Sequence, residues 1–512
     1  MKSLPFLIIL LFSLNCGAQN YGLDTTFGDA GTKSGLVTNF YPENGLLINN
    51  NYYFTSSYVN STHQIAKIDY NGNPVINFGT NGVLSLTNPN RTYKILNFKF
   101  IDGYFYMYGE STNTTNNNKD IFICKIDERG NADTTFGNNG IVTIDFGNNE
   151  IISDFIMEPN GNLLCLGTQY FSDYNIPSKL IYFKLFSNGN INTAFESNGY
   201  KSYTVDLSSS GIVAVQRTEG KFIHPLNGKY LLSGTYKTQT PGSPGLGVRK
   251  EELLLTKIDN DGIIDTTYGN GGYQLVYLEG GMSNYVNDVQ VINNNLYAKF
   301  FYAWSASTSG TKVLKYDLTT NQTIFNRSTL FSSYLKAESD GFYISGHERC
   351  SFPPSCQRKY NLKKYLSNGD LDPNFSDNGN YLFRFPNNSF HEDISSMHIK
   401  EANGKILIAG YSKDLFSLVR IKEQALGNPE FDSNTVSIYP NPFTDNFNIN
   451  YDVAIKTVEL FDLVGRKIED SEFKAIDSNS YVVVPKISKT GMFVIKITST
   501  DNKVLFKKVI KS

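Results

Sequence analysis

The sequence predicts an all-β chain in which seven four-stranded units close into a ring, followed by a smaller β-sandwich. Three observations predict it. An aromatic-glycine element recurs seven times in the first four-fifths of the chain, and an Asn-Gly or Asp-Gly hairpin signal recurs between its copies. The last 80 or so residues then change to period-two alternation without the repeat. Composition agrees, with 14% aromatic residues, 18% charged residues and 42 glycines among 512 positions, a mixture suited to short strands and tight turns. An apolar share of 40% supplies a large core, and a net charge of −2 lacks the basic footprint of a nucleic-acid binder.

Residues 1–18 read as a signal peptide. Lys2 gives the positive start, Leu4 to Leu14 (LPFLIILLFSL) is apolar but too short to span a bilayer, and Cys16-Gly17-Ala18 offers small residues for cleavage. Lipidation of Cys16 is the rival reading, but Ser13 and Asn15 stand where a lipoprotein signal wants Leu and a small residue. No later stretch is apolar enough for a transmembrane helix. In an oxidising compartment Cys350 and Cys356, which bracket CSFPPSC, are expected to form a local disulfide, and Cys124 and Cys165 to be buried thiols. His347 stands near that loop without the further ligands zinc needs.

The repeat occupies residues 22–422. Its aromatic element reads TTFGDAG at Phe27, INFGTNG at Phe78, TTFGNNG at Phe136 and TTYGNGG at Tyr268, with weaker copies at Phe195, Phe325 and Phe375. A β-patterned run carrying a cation (QIAKIDYNGN, IFICKIDERGN, LLLTKIDNDG) precedes most copies. The last such run, FSLVRIKEQ, has no aromatic element after it, and the first aromatic element has no such run before it. The array therefore closes on itself in register. Hairpin signals such as IDGYFYMYG, PNGNLLCLG and ANGKILIAG complete four strands per unit, which in the third unit are IVTIDF, IISDFIME, NLLCLG and LIYFKLF. Seven such units make a β-propeller, whereas a parallel β-helix has much shorter rungs. The combined landmarks resemble the delta-60 repeat family of bacterial proteins. That resemblance implies a propeller and no activity or catalytic residues.

A linker at 423–433 leads to a second module at 434–512. Its segments VSIYPNPFTDNFNINY, KTVELFDLVGRKI, YVVVPKISKTGMFVIKI and KVLFKKVIK alternate as half-buried strands do, suggesting a small Ig-like sandwich. YPNP, LFDLVGR, GMFVIKI and the basic terminus resemble the type IX secretion (Por secretion) sorting domain. That resemblance implies a translocon partner and a secreted or cell-surface location in a Gram-negative bacterium, reached through the periplasm.

Chemistry is sparse. The connections after the third strand of each unit (ESTNTTNNNKD, TQYFSDYNIPSK, TYKTQTPGSPGLGVRKEE, FYAWSASTSGTK, HERCSFPPSCQRK) are long and dissimilar, as recognition loops on a rigid scaffold are. Tyr170, Phe171, Tyr174, Tyr236, Tyr302 and Trp304 are the candidate stacking platforms for a glycan or surface-protein ligand. Asp154, Asp288 and Asp393 fall at one position in units three, five and seven. They suit a polysaccharide-degrading enzyme with channel carboxylates, but a repeated acid is commonly a structural cap. Asp24, Asp133 and Asp265, each before a Thr pair, read as turn caps. Asp259, Asp261 and Asp265 lack the spacing of a calcium loop, so no metal or cofactor is expected. No G-x-S-x-G, H-E-x-x-H, P-loop or dinucleotide fingerprint is present. Non-catalytic binding or adhesion is the expected function, with the polysaccharide-degrading enzyme as its alternative.

Overall fold

The structure is a computed structural model that describes residues 21–38, 40–57, 63–172, 176–196, 198–204, 215–239, 249–278, 283–303, 309–347, 360–385, 397–412, 415–424, 436–451, 453–462, 465–468, 471–477, 480–500 and 504–512. Among the described residues there are strands and turns but no helix, and so none long and apolar enough to cross a membrane. The chain divides into two compact units, Met1–Gln424 and Ala425–Ser512.

The first unit opens with β1 (Tyr21–Leu23) and β2 (Thr32–Thr38). Antiparallel four-strand meanders follow. The first comprises β3 (Tyr41–Ile48), β4 (Asn51–Ser57), β5 (Gln64–Asp69) and β6 (Val83–Ser85), and the second β7 (Arg91–Ile101), β8 (Tyr104–Asn113), β9 (Lys119–Asp127) and β10 (Ile141–Ile144). The third is β11 (Asn149–Met157), β12 (Leu163–Tyr170), β13 (Lys179–Leu185) and β14 (Tyr200–Tyr203). Next come β15 (Val215–Leu226), β16 (Lys229–Gln239), β17 (Arg249–Ile258) and β18 (Tyr273–Val276). They are joined by one parallel pair, Arg249 with Ser283, to β19 (Ser283–Ile292), β20 (Asn295–Ala303), β21 (Ser309–Asp317) and β22 (Gln322–Thr329). After β23 (Phe331–Glu338), β24 (Gly341–His347), β25 (Tyr360–Leu366) and β26 (Asn380–Phe383) come β27 (Met397–Lys400), β28 (Ile406–Ser412) and β29 (Leu415–Glu423). The free edge of β29 pairs with β1 and β2, so the first strands of the chain complete the last sheet.

The grouping differs from the sequence reading in one respect. IVTI, taken above as the first strand of unit three, is β10 and pairs with β9 of the preceding sheet, Ile141 opposite Cys124. The reason is local: the aromatic-glycine element is a compact turn that folds the strand after it back onto the strand before it. Phe136 is fully buried, its N–H donates to Asp133 O, and Thr135 Oγ1 donates to Asp133 Oδ1 at 2.6 Å. Gly137 adopts φ +56°, and a Cβ there would lie 2.4 Å from Ile141 O, so glycine is required.

The recurrent cation has a role in the same turn. Lys125 Nζ pairs with Asp133 at 2.7 Å and sits 5.9 Å from the Phe136 ring centroid. Lys184 over Phe195 (5.1 Å) and Lys257 over Tyr268 (4.2 Å) repeat the contact. In the sheet that joins the two ends of the unit, Arg420 lies 4.4 Å from the Phe27 centroid. The cation at the end of the array thus meets the first aromatic.

Cores lie between neighbouring sheets: Tyr106, Ile121 and Phe136 of one pack with Ile152, Cys165 and Ile181 of the next. Cys124 and Cys165 are buried free thiols, and burial pushes the Cys124 thiol up to about 12. Residues 1–20 and the Cys350–Cys356 loop lie outside the described residues.

The second unit is two antiparallel sheets around one core that includes Phe447, Ile449, Leu460, Ile495 and Val509. One sheet holds β30 (Val436–Tyr439), β31 (Phe447–Tyr451), β34 (Glu472–Ala475) and β35 (Ser480–Val484). The other holds β32 (Ile455–Phe461), β33 (Lys467–Ile468), β36 (Gly491–Ser499) and β37 (Val504–Lys511). Asn441 of the YPNP string clamps the last strand, accepting from Ile510 N at 2.8 Å and donating to Lys508 O at 3.0 Å.

Candidate functional site

The first strands of six successive meanders share an irregularity. Their pairing with the second strand shifts register at Pro42/Asn44, Ile95/Asn97, Ile152/Asp154, Gly220/Phe222, Val286/Asp288 and Phe331/Tyr334. A bulge inserts an unpaired residue and re-aims the side chain that follows. The closing glycine of the hairpin motif stands opposite: a Cβ on Gly109, Gly167 or Gly234 would lie 2.0–2.3 Å from a carbonyl oxygen of the bulged strand. The motif's last glycine is there to admit the bulge.

These bulges surround a cavity of about 460 Å³ to which β3, β7, β11, β15, β19 and β23 all contribute. Its polar lining includes Asn97, Lys99, Asp154, Lys221, Asp288 and Lys299, with Tyr108 and Tyr334 adding phenol groups. The volume falls in the range of small-molecule and oligomer sites.

Asp154 is committed to the scaffold. It pairs with Lys99 Nζ at 2.6 Å and accepts from Tyr108 Oη at 3.2 Å and from Ile223 N at 3.1 Å. These bonds tie β11 to the strands on either side. The neighbouring Ser153 Oγ donates to Gly220 O at 2.7 Å, and Asn44 Nδ2 donates to Leu96 O at 3.0 Å. At and just after the bulge, then, polar side chains stitch one inner strand to the next.

Asp288 is different. It is half-buried in the cavity wall and accepts from Gln290 Nε2 at 3.0 Å, while Gln290 makes the stitch to Leu335 O and Ala337 N. Burial raises the Asp288 pKa against the opposing pull of Lys299, and burial lowers that of Lys299 against the pull of Asp288. Burial, then the Asp288 charge, raises that of Tyr334. Behind Tyr334, whose ring is 5.2 Å from that of His398, the buried His398 is held down to about 3 by burial and then by Lys336. Asp393 lies outside the described residues.

The aromatic platforms fare less well. Tyr236 is a core residue, 2% exposed and packed with Leu254, Tyr203, Tyr273 and Leu275, because strand alternation turns it into the space beside the sheet. It offers no stacking face. Tyr170, Phe171 and Tyr302 are half-buried, with Lys179 over Phe171 at 5.6 Å and Lys312 over Tyr302 at 5.3 Å. Tyr174 and Trp304 lie outside the described residues, as do most of the long loops. Lys99, Lys221, Lys299, Tyr108 and Tyr334 were missed from the sequence. Their signal was indirect: the hairpin glycine marks the bulge, and the bulge marks the level of the cavity.

Residues 437–512 match the secretion system C-terminal sorting domain family. This tail carries the chain out of the cell. The protein is exported by the type IX route to the cell surface or the medium. Ulvan lyase NLR42 of Nonlabens ulvanivorans is 32% identical over 77 residues, 15% of this chain and 14% of that relative's length. A match of that size is short enough to fit within the second unit. Among solved structures, the polysaccharide lyase Uly1 is similar at 10% identity and a TM-score of 0.43, over 75% of this chain and 90% of that one. The β-propeller domain of the Trilobed protease from Pyrococcus furiosus is similar at 9% identity and a TM-score of 0.35, over 77% and 99%.

Proposed function

We propose that the chain, once its signal segment 1–18 is removed, is an exported seven-bladed β-propeller of the delta-60 repeat type with an Ig-like sorting sandwich. In this reading the propeller, residues 22–422, degrades an acidic polysaccharide in its central channel. The observation that carries the reading is the bulge ring, which turns lysines, tyrosines and the Asp288 carboxylate, free of inter-strand bonds, into a single cavity.

The composition of the wall favours elimination over hydrolysis. A glycoside hydrolase needs two available carboxyl groups across the scissile bond, and Asp154 is already held by three donors. Elimination needs a cation against the uronate carboxylate, a base for the proton on the adjacent carbon and an acid for the leaving oxygen. Lys221 fits the first role. Lys299, whose pKa burial lowers, fits the second, and Tyr334, kept protonated, fits the third. The base takes the proton, the electron pair forms a carbon–carbon double bond, and the glycosidic C–O bond breaks as its oxygen is protonated.

The test incubates purified protein with a panel of uronate-bearing polysaccharides and follows the ultraviolet absorbance of the new double bond. Turnover is expected, with loss on Lys299→Met and Tyr334→Phe. Retention of polysaccharide without product sinks the catalytic reading and supports binding alone.

A further inference from the structure

We propose a divalent-cation site, best suited to calcium, formed by Asp120, Asp145 and Glu150 at the junction of two neighbouring sheets. It is separate from the channel cavity. One carboxylate oxygen from each residue lies within 4.8 Å of the other two, a span that two calcium–oxygen bonds of about 2.4 Å cover.

The cluster is built rather than incidental. Asp120, the second residue of β9, is 2% exposed, and Glu150, the second residue of β11, is 1% exposed. Asp145 is exposed just after β10, so the three come from strands of two sheets and the loop between them. That loop wraps the site: Glu150 accepts from Asn148 N at 3.0 Å and Phe146 N at 3.3 Å, and Asp145 Oδ1 accepts from Gly147 N at 2.6 Å. Gln169 Nε2 steadies Glu150 from β12 at 2.9 Å.

Two observations point to a ligand. Asp120 Oδ1 is buried and accepts no hydrogen bond, whereas Asp120 Oδ2 is taken by Arg91. Leaving such an oxygen dry and unpaired is costly unless something meets it. The charge balance is also open, since Asp120 pairs with Arg91 while, among the described residues, Asp145 and Glu150 make no ion pair. A single divalent cation neutralises them. The donors are all oxygen, without His or Cys, which selects a hard cation over zinc or copper. Bound there, the cation would fasten the second meander, β7–β10, to the third, β11–β14.

The experiment uses the exported full chain, stripped with a chelator and titrated with calcium chloride at constant ionic strength. Thermal unfolding and titration calorimetry are the readouts. We expect a saturable calcium heat and a rise in Tm of roughly 1–3 °C for each tenfold excess over Kd. Asp145→Asn, at an exposed position that spares the fold, should abolish both while leaving the metal-free Tm unchanged or higher. Asp120→Asn should also abolish both, but with a lower metal-free Tm, because Arg91 loses its charged acceptor. An equal rise with sodium chloride alone, or an undiminished one in Asp145→Asn, would overturn the site. An equal rise with magnesium would overturn its assignment to calcium.

Discussion

Replacing Asp24 by Asn should loosen the ring where its two ends meet. Asp24 is fully buried and accepts from Arg420 Nε at 3.0 Å, with Lys405 at 2.8 Å and Lys422 at 3.5 Å. Arg420 is itself buried, stacked between the Phe27 and Tyr70 rings at 4.4 Å each, and donates to Tyr70 O at 2.8 Å. Removing one charge of such a pair leaves the other uncompensated, at a cost of about 3–5 kcal/mol. At roughly 2.1 cal/mol/K of unfolding entropy per residue, a unit of about 400 residues should lose around 4–6 °C in Tm. Amide exchange should quicken first along β1, which joins β29 by three residue pairs. The acid limb should change as well. Burial alone would raise the Asp24 pKa, but Lys405, Thr26 and Arg420 overcome it and hold the carboxyl well below the usual range. A depressed carboxylate stabilises above its unfolded value near 3.9 and loses that contribution as pH falls toward the folded value. Asp24→Asn should therefore flatten the loss of stability below about pH 4. A fall in Tm under 1 °C, with an unchanged acid limb, would refute the claim that this pair locks the ring.

Other outcomes follow from the same contacts. Asp154→Asn should cost about 2–4 kcal/mol in denaturant unfolding, since Lys99 and Ile223 N lose a charged acceptor. Asp288→Asn should leave stability within about 1 kcal/mol and change turnover or its pH profile instead. His398 is buried neutral at about 3, so acidification from pH 6.5 toward 3 should destabilise the fold by up to roughly 4 kcal/mol, an arm that His398→Gln should remove in pH-dependent melts. Deleting residues 434–512 should strand the chain in the periplasm, as fractionation would show, and normal export of the truncated chain would contradict the sorting role of the tail.

The repeat was legible because each landmark has a local cause. The aromatic-glycine turn needs Gly137 and its equivalents for backbone contact alone, and the cation before it answers to the ring and the turn acid around it. Such requirements leave a fixed spelling. The cavity left none, because the residue after each bulge has only to reach the next strand or the channel. Asn44, Asn97, Asp154, Phe222, Asp288 and Tyr334 occupy that one position with four kinds of side chain. The match among Asp154, Asp288 and Asp393 in sequence therefore left structural caps and a catalytic set as alternatives, and the structure makes Asp154 a stitch. Tyr236 misled for a related reason, since alternation along β16 places it in the core although it stands near a long loop.

That same position explains how one scaffold can carry a site without losing its ring. Where the post-bulge residue makes the inter-strand bond itself, as Asp154 does with Ile223 N, it has no capacity left for a ligand. In β19 the bond has moved two residues on, to Gln290 with Leu335 O and Ala337 N, and Asp288 is left facing the cavity beside Lys299. The scaffold's need is met by the amide, and the carboxylate is released to a wall of opposite charge. Exchanging the two arrangements tests this directly: Gln290→Ala should draw Asp288 into the structural bond and lower turnover with Asp288 still present. Unchanged turnover in that variant would mean that Asp288 was never held in reserve for chemistry.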